Sequence, residues 1–444
     1  MAESRATRAV LLLAGALGLG VMAGGIAIDR AASRPPAPRR AVAPPQVPPG
    51  TFTAILGARV FDGDRTLPRA TVVLLGNRIV SVGEAVPVPS GAHVIDGAGK
   101  TLLPGLIDAH THAEEGSLER AVVFGVTTEL DMFADPAFAA RDRAEQARHD
   151  VTTRADLWSA SVLVTAPGGH GTEFGMPIPT LSGAEHAQAF VDARIAEGAD
   201  YIKIVKDDGT PYGLTWPTLS DEELRAVVAA AHWRQKLAVA HIGTQHDAVA
   251  AIDAGVDGLA HLFEDSEPAP DFAGRVAAHR AFVVPTLTVL ESETGRASGA
   301  SLVTDPRLAP FLQPEEATML RTSFTLPRRL PSLSLDHARA AVRVLAAAGV
   351  PLLAGTDAGN PGTAHGASIH RELELLVSAG LTPIEALRAA TSTPARVFRL
   401  LDRGRLAPGL RADLVLVDGD PSRDITATRA IVQVWRNGVM VARE

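Results

Sequence analysis

Five side chains able to bind a metal stand at the ends of separate apolar runs. His110 and His112, one residue apart, close the run 102–112. Residues two apart on a strand point to the same side, so His-x-His forms a two-imidazole clamp. His241 ends the run 237–241, His261 the run 258–261, and Asp357 the run 350–357 within Ala354-Gly355-Thr356-Asp357. Imidazole and carboxylate together suit Zn²⁺, with Mn²⁺, Fe²⁺ or Co²⁺ as neighbouring choices. Any one of these residues could be an ordinary core or loop residue; it is the joint pattern that points to a metal. Lys203, inside the run 201–205, is one of only four lysines in a chain with 38 arginines. The chain has no cysteine, which removes thiolate ligands, a thiol nucleophile and disulfides.

The elements that must position these residues repeat. Eight apolar runs of strand length (102–112, 125–131, 157–165, 201–205, 237–241, 258–261, 282–290 and 350–357) each lead into a helical pattern. Ser182-x-x-Glu185 and Ser220-x-x-Glu223 read as capping-box helix starts. Near-continuous apolar strands alternating with helices predict an α/β fold, a closed parallel (β/α)8 TIM barrel. In such a barrel the loops after the strand C-termini build the active site, and there the five ligands and Lys203 stand. Short strand signals at 54–60, 71–75 and 78–82 return at 412–417 and 431–437, predicting a small β-sandwich domain made from both ends of the chain. The expected boundaries are 51–103 with 404–444 for the small domain and 104–403 for the barrel.

Residues 9–28 are uncharged and mostly apolar behind Arg5 and Arg8. Residues 1–30 therefore read as a signal peptide or a membrane anchor, and the Pro-rich 31–50 as a linker. The expected location is exported, periplasmic or extracellular, with a membrane tether through 9–28 if the segment is retained. A formal charge of −8 gives no electrostatic footprint for nucleic acid, so the expected partner is a small-molecule substrate.

The stretch Leu103-Pro104-Gly105-Leu106-Ile107-Asp108-Ala109-His110-Thr111-His112 is followed by Tyr201-Ile202-Lys203-Ile204, His241, His261 and Gly355-Thr356-Asp357. This ordered set resembles the metal-dependent amidohydrolase superfamily, and within it the imidazolonepropionase-like and Xaa-Pro-dipeptidase-like members. Leu381–Thr391 and Gly404–Leu414 resemble its last helix and its return to the small domain, so the likeness spans about 51–444. The resemblance implies two divalent ions, Zn²⁺ first, with His110, His112 and Asp357 on one and His241 and His261 on the other. It implies a CO₂-derived carbamate on Lys203 bridging both, and Asp357 as the catalytic acid–base beside a metal-bridging hydroxide. Relatives are often homo-oligomers. Lys206, three positions after Lys203, would alternate to the opposite face of the strand.

For substrate binding, His170 in Gly168-Gly169-His170-Gly171 resembles a substrate-contacting residue of these relatives. Tyr212 and Trp216 after run four, and His365 eight residues after Asp357, are rim candidates. The segment 291–336 is long for a connection and is expected to be a lid insertion. Two departures bear on peptide carboxylate binding: Ile242-Gly243 follows His241, and Ala260 precedes His261. The expected reaction is hydrolysis of a C–N amide or peptide-like bond in a dipeptide or N-acyl amino acid. A cyclic amide or lactone is the alternative substrate, and a non-catalytic metal- or substrate-binding protein the alternative of another class.

Overall fold

The alternating apolar residues of the first folded segment form five strands: β1 (Phe52–Phe61), β2 (Thr66–Leu75), β3 (Arg78–Gly83), β4 (His93–Asp96) and β5 (Lys100–Pro104). The computed structural model describes residues 47–48, 50–148, 150–326 and 332–443. The expectations for residues 1–30, and most of the linker, fall outside them. Among the described residues no helix is long and apolar enough to cross a membrane.

The barrel strands follow: β6 (Leu106–Thr111), β7 (Val126–Asp131), β8 (Asp156–Ser159), β9 (Ile202–Lys206), β10 (Ala238–Ile242), β11 (Gly258–Ala260) and β12 (Phe282–Val284). They pair in parallel as β6-β7-β8 and β9-β10-β11-β12. Bridges Val164↔Ile204, Val283↔Leu352 and Thr111↔Ala358 link these sheets, with Ala109 N donating to Ala354 O at 2.8 Å. The circuit is thereby closed. The eighth position makes bridges in place of a regular strand. Thr356 N is shared between the Asp108 carboxylate at 3.0 Å and His110 O at 3.3 Å, and Asp357 has turned to φ 56°.

β13 (Leu414–Asp418), β14 (Ile431–Arg436) and β15 (Val439–Met440) return to the small domain. β13 pairs antiparallel with β5, from Leu414↔Pro104 to Asp418↔Lys100, so both chain ends share one eight-stranded sheet. The small domain is thus built from both ends of the chain, as expected, its strands joined along one hydrogen-bonded path. Two register shifts in β1, between Ile55 and Ala58 and between Ala58 and Val60, bend it. Its core (Ile55, Val60, Val72, Leu102, Leu414, Trp435) is separate from the barrel's.

A buried charge network joins the two parts. Asp156 at the start of β8 receives Arg403 at 2.7 Å, Arg411 at 2.5 Å and Arg436, and Asp413 receives Arg411 and Arg436. Of the two expected capping boxes, Ser220 caps the helix Asp221–Trp233 with Glu223 reciprocating. Ser182 does not cap a helix: a 3-10 turn at Ala184–His186 has Gly183 as its cap. The insertion after β12 folds into short helices, Leu287–Glu293, Ala300–Thr304 and Pro314–Met319. Leu302, Leu308 and Leu320 pack there on Val123, Phe124 and Ala367, and Glu316 pairs with Arg120 at 2.8 Å. It is a docked layer beside the barrel; residues 327–331 of it lie outside those described.

Candidate metal centre

Each strand end carries a candidate ligand. His110 lies in β6 and His112 directly after it, Lys203 in β9, His241 in β10, His261 directly after β11, and Asp357 at the eighth position. Ligand atoms of His110, His261 and Asp357 lie within 4.8 Å of one another, and all three residues are buried. Ring centroids of His110 and His261 are 4.6 Å apart, as are those of His241 and His261. His261 at φ 76° and Asp357 at φ 56° are in the left-handed region, which costs a non-glycine residue energy and clusters at functional sites. Gly355 lets the eighth position approach β6: a Cβ there would stand 2.8 Å from His110 N.

Hydrogen bonds at the far side of three imidazoles fix which nitrogen is available. His112 Nδ1 donates to Phe133 O at 3.2 Å, His241 Nε2 donates to Asp207 Oδ2 at 3.1 Å, and His261 Nδ1 is bonded to Thr286 Oγ1 at 2.8 Å. This leaves Nε2 of His112, Nδ1 of His241 and Nε2 of His261 for a ligand, the pattern by which an outer partner orients a metal-binding histidine. Both nitrogens of His110, and Asp357 Oδ1, are buried without an aligned hydrogen bond. Asp357 Oδ1 nevertheless lies 3.2 Å from His110 Nε2 and 2.8 Å from His112 Nε2. Burial opposes protonation of His112, but the charge and hydrogen bond of Asp357 raise its pKa, so with no ion present the two groups share a proton. Buried imidazole and carboxylate atoms that converge without other partners are a donor set that fits a divalent metal.

The electrostatics agree. Burial, then the Lys203 charge, pushes His110 down to about 3, and burial pushes His241 down to about 4. Burial and the neighbouring imidazoles hold His261 well below its usual value. These three imidazoles are neutral at pH 7, the form that binds a metal. Burial opposes ionisation of Asp357, yet His110 and His112 keep it well below the usual carboxylate range. Burial brings Lys203 down to about 7, against the pull of Asp357 and Asp131.

The remaining candidates are placed as follows. His170 stands beside the cluster, its ring 4.8 Å from His241 and 4.8 Å from Trp216. The Tyr212 hydroxyl is raised well above its usual pKa by burial and by the carboxylates of Glu293, Asp207, Glu264 and Asp357. His365 is paired elsewhere: its Nδ1 donates to the buried Glu129 on β7 at 3.0 Å. Lys206 leaves the interior, donating to Leu219 O and pairing with Asp221 at 3.1 Å. Cavities of 240 Å³ beside Ala139–Ala147 and 140 Å³ by Trp158, Tyr201 and Phe398 lie away from the ligands.

Asp207 was missed from sequence. It is fully buried, bonds His241, and accepts from Gly209 N at 2.8 Å. The signal was Gly243, where a Cβ would stand 2.3 Å from Asp207 Oδ1. The departure after His241 is thus the space that Asp207 fills.

The sequence model of the amidohydrolase family matches residues 101–441. The chain belongs to the amidohydrolase family. It is an enzyme of that family acting on C–N bonds, which sets aside the non-catalytic reading. The chain is 28% identical over 399 residues to imidazolonepropionase of Cereibacter sphaeroides, covering 86% of this chain and 94% of that protein. It is 22% identical over 445 residues to ochratoxinase of Aspergillus niger, covering 87% and 86%. A solved prolidase complexed with N-methylphosphonate-L-proline superposes with a TM-score of 0.67 at 26% identity, over 89% of this chain and 100% of that one.

Proposed function

We propose that this amidohydrolase cleaves an acyclic amide or peptide-like bond, in a dipeptide or N-acyl amino acid, at a two-metal centre. The observation that carries the reading is the convergence of His110, His261 and Asp357 with His112, His241 and Lys203 at one barrel mouth. His110, His112 and Asp357 would hold one ion and His241 and His261 the other. Bound divalent ions supply a Lewis acid for the amide carbonyl and lower the pKa of water.

The chain's own groups do the rest. Lys203, brought to about 7 by burial, offers a neutral amine at neutral pH. That amine would add to CO₂ with loss of one proton, which would turn Lys203 into a two-oxygen anionic ligand. Asp357, ionised at neutral pH, accepts a proton at its carboxylate and returns it to the leaving nitrogen. Asp207, Thr286 and the Phe133 carbonyl hold the imidazoles in the required tautomers.

The test is a panel of N-acyl amino acids, dipeptides, cyclic amides and lactones, offered to metal-depleted protein before and after Zn²⁺ is restored. Metal-dependent release of amine from acyclic amides is expected. Turnover confined to cyclic amides or lactones would overturn the substrate assignment. The export reading of residues 9–28 rests on sequence alone, and fractionation of cells making the full chain tests it.

A further inference from the structure

Aromatic residues are only 4% of the chain, yet several meet beside the histidines. The His112 ring contacts Phe133 at 6.4 Å, Phe133 contacts Phe174 at 6.3 Å, and Phe174 contacts His170 at 5.7 Å. His170 then contacts His241 and, on its other side, Trp216, each at 4.8 Å. The series leaves the ligand set at His112 and rejoins it at His241, so the wall is continuous with the ligand histidines. It is built from three loops, after β7, β8 and β9.

Two features make it rigid. Glu173 accepts from His170 Nδ1 and from Gly171 N, both at 2.6 Å, which pins the turn carrying Phe174. Trp216 lies against Gly209, where a Cβ would stand 2.7 Å from the ring. Phe174 is nonetheless 59% exposed. Its exposed phenyl face is continuous, through Phe133 and His170, with the rings of the candidate ligand histidines. Flat rings gain here over aliphatic groups of equal area because edge-to-face and offset contacts add to burial.

We propose that Phe133, Phe174, His170 and Trp216 form a subsite for an aromatic ring next to the scissile amide, making aromatic amides the preferred substrates. This rests on the proposed amide hydrolysis for its catalytic arm. The same wall would hold a ring on the acyl side, as in N-benzoylglycine, or on the amine side, as in N-acetylphenylalanine.

The experiment compares both compounds with N-acetylleucine in the Zn²⁺-loaded wild type and in Phe174→Ala, whose exposed side chain leaves the core intact. The preferred aromatic amide should lose about fivefold to tenfold in kcat/KM, mainly through KM, while N-acetylleucine stays within about twofold. Which aromatic amide is affected identifies the side that carries the ring. Equal losses on all three, or no loss on either aromatic amide, would overturn the subsite.

A binding arm needs no turnover. Benzamide and cyclohexanecarboxamide are titrated by calorimetry into the wild type and Phe174→Ala. Tighter benzamide binding that disappears in Phe174→Ala supports the subsite even if no amide is cleaved, in which case the hydrolytic reading alone fails. Equal binding of the two amides refutes the subsite.

Discussion

Asp207→Asn is the substitution whose consequence follows most directly from the structure. The carboxylate is buried, with Oδ2 accepting from His241 Nε2 at 3.1 Å and Oδ1 from Gly209 N at 2.8 Å. Burial opposes its ionisation, but the His241 bond holds its pKa below the usual value, so the contact is charge-assisted at neutral pH. Asparagine keeps the volume but has only one acceptor oxygen. If that oxygen stays on Gly209 N, the amide turns its donor toward His241 Nε2. The imidazole proton must then move to Nδ1, the nitrogen needed for the metal. If the amide flips, Gly209 N loses its acceptor and meets a donor in a buried turn. Either way one good bond is lost and the ligand is misoriented. Losing an outer partner of this kind costs about 10- to 100-fold in metal affinity, or roughly 1.4 to 2.7 kcal/mol. The assay is competition with a chelator of known affinity, alongside metal content and thermal midpoint. Unchanged affinity for both ions in a folded Asp207→Asn protein would refute the argument that Asp207 sets the His241 tautomer.

Asp357→Asn should reduce kcat by about 10²- to 10⁴-fold, the usual worth of a positioned acid–base group. It should retain more metal than His110→Ala, and turnover within tenfold of wild type would contradict its role. Lys203→Arg, which cannot form a carbamate, should lose one ion per chain by elemental analysis, whereas Lys203→Glu should recover part of the metal content. Asp156→Ala removes the carboxylate common to Arg403, Arg411 and Arg436 and leaves three buried guanidinium groups on Asp402 and Asp413 alone, so unfolding in urea should show a loss of about 3–5 kcal/mol. Asp413 is lowered to about 2: burial opposes this, but Arg436 and Arg411 overcome it. A depressed carboxylate stabilises the fold above its unfolded pKa and loses that contribution as pH falls through the folded one. Wild-type stability should therefore decline between about pH 4 and 2, and Asp413→Asn should be weaker at pH 7 but flatter over that range.

What could be read from the chain was whatever a single strand encodes. His110 and His112 were legible because period-two spacing and an apolar run define both the strand and its inward face. Lys203 was legible because a lone lysine inside Tyr201–Val205 has no surface reason to be there. Asp207 was not, because an aspartate two residues before Gly209 reads as a turn, and its partner His241 lies 34 positions away. Phe133 and Phe174 were hidden for the same reason: each is a single aromatic in its own loop, and only the closed barrel brings those loops together. His365 was singled out by its distance in sequence to Asp357, and its buried partner Glu129, 236 positions away, could not be read from that spacing. The small domain's assembly from both chain ends was legible in the returning strand signals, but the irregularity of β1 at Ile55–Val60 was not, because alternation alone does not reveal a register shift.

The central claim is that this ligand set holds the metal on which C–N hydrolysis depends. Metal-free protein, prepared by chelation and shown folded by its thermal midpoint, is titrated with Zn²⁺ under CO₂ while bound metal and amide hydrolysis are followed together. The account predicts no turnover without metal, and activity rising with occupancy to a plateau at two ions per chain. Full activity in the metal-free protein, or full activity in His110→Ala, would contradict it.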